Sequence, residues 1–165
     1  MLRRIAAACV AVAFVASLYA SDRSTTQPAG QAPQKSNNDD FPYKIAFEQG
    51  ATQFQPGDQI TVTEVLGTGS DMQSGICRIS GTYTLTSEDQ ATLAASITAR
   101  DSADGVGPWN KAQTMNITKG HGTFTLYLPV SIAGWPHVSF YGKSDAFGGS
   151  YIGTGDAVLR HWWGS

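Results

Sequence analysis

Three histidines, His121, His137 and His161, are the imidazoles of this 165-residue chain, and imidazole is the side chain best suited to moving protons near neutral pH. A hydrolytic site would set His137 or His121 against an acid such as Asp58, within hydrogen-bond reach in a cleft. The three are too widely spaced for an H-x3-H element and have no cysteine partners, so no metal site is assigned. Paired carboxylates would need two acids converging on one cleft. Glu48 and Glu64 fall in strand-like runs and Glu88-Asp89 are neighbours in a polar stretch, and nothing in the spacing joins any two of them. Asp101-Ser102-Ala103-Asp104-Gly105 lacks the alternating oxygen ligands and the closing glutamate of a calcium loop, and reads as a polar turn. Gly149-Ser150-Tyr151-Ile152-Gly153 holds a serine without a following helical pattern or the setting of a nucleophile elbow. The pairs Gly67-x-Gly69 and Gly153-x-Gly155 lack the third glycine of a dinucleotide fingerprint. No cofactor is implied.

Aromatic residues are the remaining candidates. Trp109 and Trp135 lie beside Pro108 and Pro136, and Trp162-Trp163 are adjacent, so in an extended chain they point to opposite faces. Tyr141, Phe147 and Tyr151 accompany a glycine-rich stretch, 148–155. Flat rings in loops suit sugar recognition, because a ring face packs on the apolar face of a pyranose. On that reading Trp109, Trp135, Tyr141 and Trp163 are the candidate ligand contacts. The competing reading is core, since each aromatic side chain buries roughly 150–250 Å².

The elements that would position these residues are strands. Apolar residues alternate with polar ones from Phe41 onward, punctuated by turn residues. Tyr43, Ile45 and Phe47 predict one strand ending at Gly50. Ile60 and Val62 predict a second after Pro56-Gly57-Asp58, and Val65 breaks its phase, which predicts a bulge near Glu64. Residues 76–86 alternate most clearly, with Gly81 marking a bend or a close backbone approach. Ser87-Glu88-Asp89-Gln90 reads as a turn leading into an adjacent strand through Leu93, Ala95 and Ile97. Met115 and Ile117, then Gly120-His121-Gly122, then Phe124 to Val130 read as a hairpin. Further short strands follow at Val138-Phe140, Tyr151-Ile152 and Ala157–Leu159. Eight or nine short strands without a helical period predict a single antiparallel β-sandwich, jelly-roll or immunoglobulin-like, over residues 41–163. A closed β-barrel is the second choice.

The N-terminus adds an address. Met1-Leu2-Arg3-Arg4 followed by an apolar run to Ala20 has the layout of a secretory signal, residues 1–20. The run is short for a spanning helix, which needs about 20 apolar residues; an uncleaved anchor is the alternative. Residues 21–40, SDRSTTQPAGQAPQKSNNDD, are polar with two prolines and read as a disordered tether. Removing Arg3 and Arg4 with the signal changes the balance from 11 Lys+Arg against 13 Asp+Glu to 9 against 13. That acidity offers no phosphate-seeking surface and excludes a nucleic-acid partner. Cys77 is the single cysteine after the signal, so it is expected either buried and inert or in an intermolecular bridge.

The sequence therefore favours a binding module over an enzyme. The expected protein is exported to the periplasm, cell surface or extracellular space. It has no membrane span once the signal is cleaved, and its partner is a polysaccharide or protein ligand. The alternatives are a small extracellular hydrolase built on a His–carboxylate pair, and a structural or assembly subunit of the envelope joined through a strand edge or Cys77. Ligand identity and oligomeric state are not written in the sequence.

Overall fold

The computed structural model describes residues 34–35, 40–99, 111–143 and 145–153. The expected signal, most of the expected tether, Trp109, His161, Trp162, Trp163 and the strand expected at Ala157–Leu159 lie outside them. Eight strands follow in order: β1 (Gln34–Lys35), β2 (Tyr43–Lys44), β3 (Glu48–Gln53), β4 (Gln59–Gly67), β5 (Gly75–Ala99), β6 (Thr114–Val130), β7 (Gly134–Tyr141) and β8 (Ala146–Gly153). Every pairing is antiparallel. The order is β1-β2-β4-β5-β7-β8-β3, with β6 on the other side of β5. The all-β antiparallel expectation holds. All eight strands belong to one sheet, curled into a half-barrel, so curvature covers the core where a sandwich would use a second sheet. No helix among the described residues is long and apolar enough to cross a membrane.

Two long strands replace four short ones. Residues 76–86 and 92–99 are halves of a single β5, and the expected turn at Ser87–Gln90 does not reverse the chain. Between Leu85↔Gly120 and Gln90↔Thr118 the register slips, so that Thr86–Asp89 of β5 stand opposite Lys119 of β6. This is a wide bulge, and Asp58 anchors it. Its Oδ1 accepts from the backbone N–H of Thr86 (2.7 Å) and of Ser87 (3.0 Å), while its Oδ2 accepts from the Ser87 hydroxyl. The four polar residues are polar because the bulge stands in solvent, and a turn has the same composition. The expected hairpin at Gly120-His121-Gly122 is likewise straight strand, part of β6. Gly120 adopts φ +125° beside the bulge, a backbone state that L side chains rarely take.

Period-two burial runs through the first half of β5. Cys77, Ile79 and Leu85 are fully buried, while Thr82 and Thr86 are exposed. A Cβ on Gly81 would sit 2.2 Å from the carbonyl oxygen of Thr61 and 2.8 Å from the ring of Phe124. The close approach expected there is real. Cys77 is buried, and desolvation, helped by the charge of Asp71, pushes its thiol up to about 11. It is the inert cysteine of the two expected alternatives.

The bulge expected near Glu64 is present, as a register shift between Val62 and Glu64. The strand expected over Tyr43–Phe47 breaks after Lys44. Its continuation touches β4 through Ile45 N–H to the Val65 carbonyl (2.9 Å), and β3 then crosses to pair with β8. Gln49 on β3 spans the gap back to β4. Its side-chain amide donates to the Ile60 carbonyl (2.5 Å) and accepts from Val62 N–H (2.9 Å). A glutamine thus mimics one rung of a ladder and draws the edge strand β3 back to β4 over one core. Phe140 lies at the centre, stacked on Phe147 (centroids 5.8 Å apart) and edge-on to Phe54 (6.1 Å).

Candidate functional site

The described candidates separate. Trp135, the second residue of β7, is buried, 5 % exposed, and packs with Tyr151 against Ala51 and Ala146. Its ring is covered on the side of the sheet away from the main core. Tyr141 closes the same strand, is half-buried and lines a groove. His121 is exposed on β6, whereas His137 is buried in the middle of β7. Asp58 and His137 belong to separate networks, one holding the bulge and the other described next. No group of three His, Cys, Asp or Glu among the described residues is arranged to hold a metal ion.

His137 sits in a layer of hydroxyls on the outer side of the sheet. Odd residues of β7 and even residues of β5 share that side through the register Thr92↔Tyr141, Ala94↔Ser139, Ser96↔His137 and Thr98↔Trp135. The Ser96 hydroxyl lies 2.9 Å from His137 Nε2, and the Ser139 hydroxyl 2.8 Å from Nδ1. The same two serines hydrogen-bond the Tyr141 hydroxyl; burial raises the phenol above its usual range, opposed by those bonds. Thr98 and Tyr151 pair at 3.3 Å, and the Tyr151 ring meets His137 edge-on at 5.6 Å. Desolvation pushes the imidazole down to about 3, so it is neutral. A neutral imidazole has one donor and one acceptor nitrogen. With each hydroxyl donating in the same sense, His137, Ser139, Tyr141 and Ser96 can close one circuit of hydrogen bonds. The alternation through Leu93, Ala95 and Ile97 leaves Ser96 and Thr98 on the opposite, polar face of the expected strand, and nothing in it singles out Ser139. A signal was there, because residues 131–142 and 91–99 carry no formal charge.

The groove begins where this layer ends. The bulge side of β5 (Glu88 to Thr92), Asn116–Thr118 of β6 and the turn Tyr141–Lys143 enclose about 730 Å³, within the roughly 300–1,000 Å³ of small-molecule sites. Tyr141, Thr92 and Asn116 form one row across three strands, and Gln90 and Thr118 form the next. Thr92 donates its hydroxyl to Asn116 Oδ1 at 3.3 Å. Gly142 N–H to the Asp145 carbonyl (2.9 Å) ties down the turn that carries Lys143. Asp89 on the opposite rim faces Lys119 at 3.7 Å, both well exposed, a pair that stabilises little.

The fold and site thus define an all-β half-barrel with a polar groove beside a buried hydroxyl layer. No protein-family model, curated protein or solved structure matches the chain.

Proposed function

We propose that this protein is an exported, non-catalytic binding module that takes a polysaccharide or protein ligand of the envelope or extracellular space in the groove at Tyr141. The observation that carries the reading is the groove itself, with a tyrosine already fixed through its hydroxyl by Ser96 and Ser139. A wall ordered before the ligand arrives lowers the entropy lost on binding. In place of the expected sandwich, the curled sheet brings β3 back to β4 across one core and carries the groove on β5, β6 and the end of β7. His137 supports this reading over the hydrolase, since an imidazole pushed down to about 3 is a weak base at neutral pH. Export rests on the signal-like residues 1–20, and N-terminal sequencing of the secreted chain should begin at Ser21. Retention of the chain by isolated cell envelopes should fall about tenfold in Tyr141→Ala. Unchanged retention would remove the groove from the proposal.

The assembly reading has one observation of its own. Among the described residues β6, 17 residues long, pairs with β5 alone, and a free edge can pair with another chain. Light scattering that gives a monomer at all concentrations would dismiss it.

A further inference from the structure

We infer that the groove takes a neutral glycan segment, laid across β7, β5 and β6, in preference to an acidic or phosphorylated polymer. This deepens the reading above and rests on it. The first argument is spacing. Tyr141, Thr92 and Asn116 occupy adjacent strands in register, so their side chains recur about every 4.8 Å, close to the length of one pyranose unit. The second is the hydrogen-bond chemistry of the rows. Thr92 gives its proton to Asn116 Oδ1, which leaves a hydroxyl acceptor beside an amide NH2 donor. Gln90 and Thr118, paired in the next row, repeat the combination of one amide and one hydroxyl. Neighbouring sugar hydroxyls each donate and accept, so a donor set beside an acceptor matches a vicinal diol, and two such sets match a repeating chain. Gln90, Asn116 and Thr118 are exposed and free for contact with solvent.

The third argument is charge. The two rows are uncharged, and the groove carries no guanidinium among its described residues, the group that recognises carboxylate and phosphate in two-point fashion. Its rim carries Glu88, Asp89 and Lys143, and Asp89 faces Lys119 at 3.7 Å, so the rim's acids and ammonium groups balance and offer an anionic ligand no net positive charge. Tyr141 supplies the apolar wall for one sugar ring.

The test is a heteronuclear NMR titration of the chain lacking residues 1–20. The probes are hexasaccharides of β-1,4-linked glucose and N-acetylglucosamine, with an oligogalacturonate as the acidic counterpart. At least one neutral probe should shift signals of residues 90–92, 116–118 and 141–143. Asn116→Ala and Gln90→Ala, both at exposed positions, should each weaken it about five- to tenfold. The oligogalacturonate should bind at least about tenfold more weakly. Tighter binding of the acidic probe, shifts away from these residues, or no response to any probe would overturn the inference. Retention on isolated envelopes separates the two levels. Envelope binding without a glycan response leaves a module for another ligand, and loss of both removes the module as well.

Discussion

The two halves of β5 obey different rules. From Gly75 to Leu85 the strand has one dry side and one wet side, with Cys77, Ile79 and Leu85 inside and Thr82 outside. From Ala91 to Thr98 the inward residues are buried again, but Ala94, Ser96 and Thr98 on the outward side are buried too. The bulge at Thr86–Asp89 separates the regimes. The first half is held by ordinary apolar burial, about 25 cal/mol per Å². The second adds polar groups that are stable inside only while each keeps a partner. Strand alternation therefore reports burial from one side. Small uncharged polar residues on the other parity report a second layer.

The most severe way to break this contrast is Trp135→Ala. The ring was a candidate ligand contact, and it is buried beside Tyr151. Its removal should destabilise the fold by about 3–5 kcal/mol in urea unfolding. A change under about 0.5 kcal/mol, the range of a surface substitution, would return Trp135 to the list of contacts. Acid is the next lever. His137 is held down to about 3 by burial, whereas an unfolded histidine titrates near 6.5. Between those values the unfolded chain binds the extra proton, so stability is complete above about pH 6.5 and falls as pH drops towards 3. Going from pH 7 to 4 should remove roughly 3 kcal/mol, and His137→Gln should flatten that slope. A wild-type slope that persists in the variant would locate the titration elsewhere.

Much of the first half was legible in the sequence and little of the second was. Cys77 to Leu85 alternate without exception, Val65 breaks phase where β4 bulges, and Gly81 marks a close approach. Each of these is a local property of the chain. Asp58 holding Thr86 and Ser87 is a contact between residues nearly thirty apart, so Ser87–Gln90 read as a turn. Gln49 bridging to β4 depends on curvature, which no local pattern encodes. Of the candidate site, Tyr141 was found as an aromatic near glycines. Thr92, Asn116 and Gln90 were not, because they come together only through the registers of β5 with β6 and β7.

The bulge that divides the halves can be loosened directly. Burial raises the Asp58 carboxyl, but hydrogen bonds from Ser87 and Thr86 outweigh this and leave it below its ordinary value. Its share of stability is present above about pH 4 and is lost as pH falls through the lowered value, beneath most of the His137 window. Asp58→Ala should cost about 2 kcal/mol at pH 7 and make the acid limb below pH 4 shallower, leaving the part that His137 contributes. An unaltered limb would mean that the bulge holds its shape without the carboxylate.

The finest comparison uses one substitution in both halves. Thr98→Val keeps the side chain's shape and removes the hydroxyl that meets Tyr151 at 3.3 Å. Thr82→Val makes the same change on the wet side of the first half, where Thr82 is exposed. The buried site should lose about 1 kcal/mol, because the Tyr151 hydroxyl is left one partner short. The exposed site should stay within about 0.5 kcal/mol. Equal effects would mean that the Thr98–Tyr151 pair, on the outer side of the second half, is as wet as the outer side of the first.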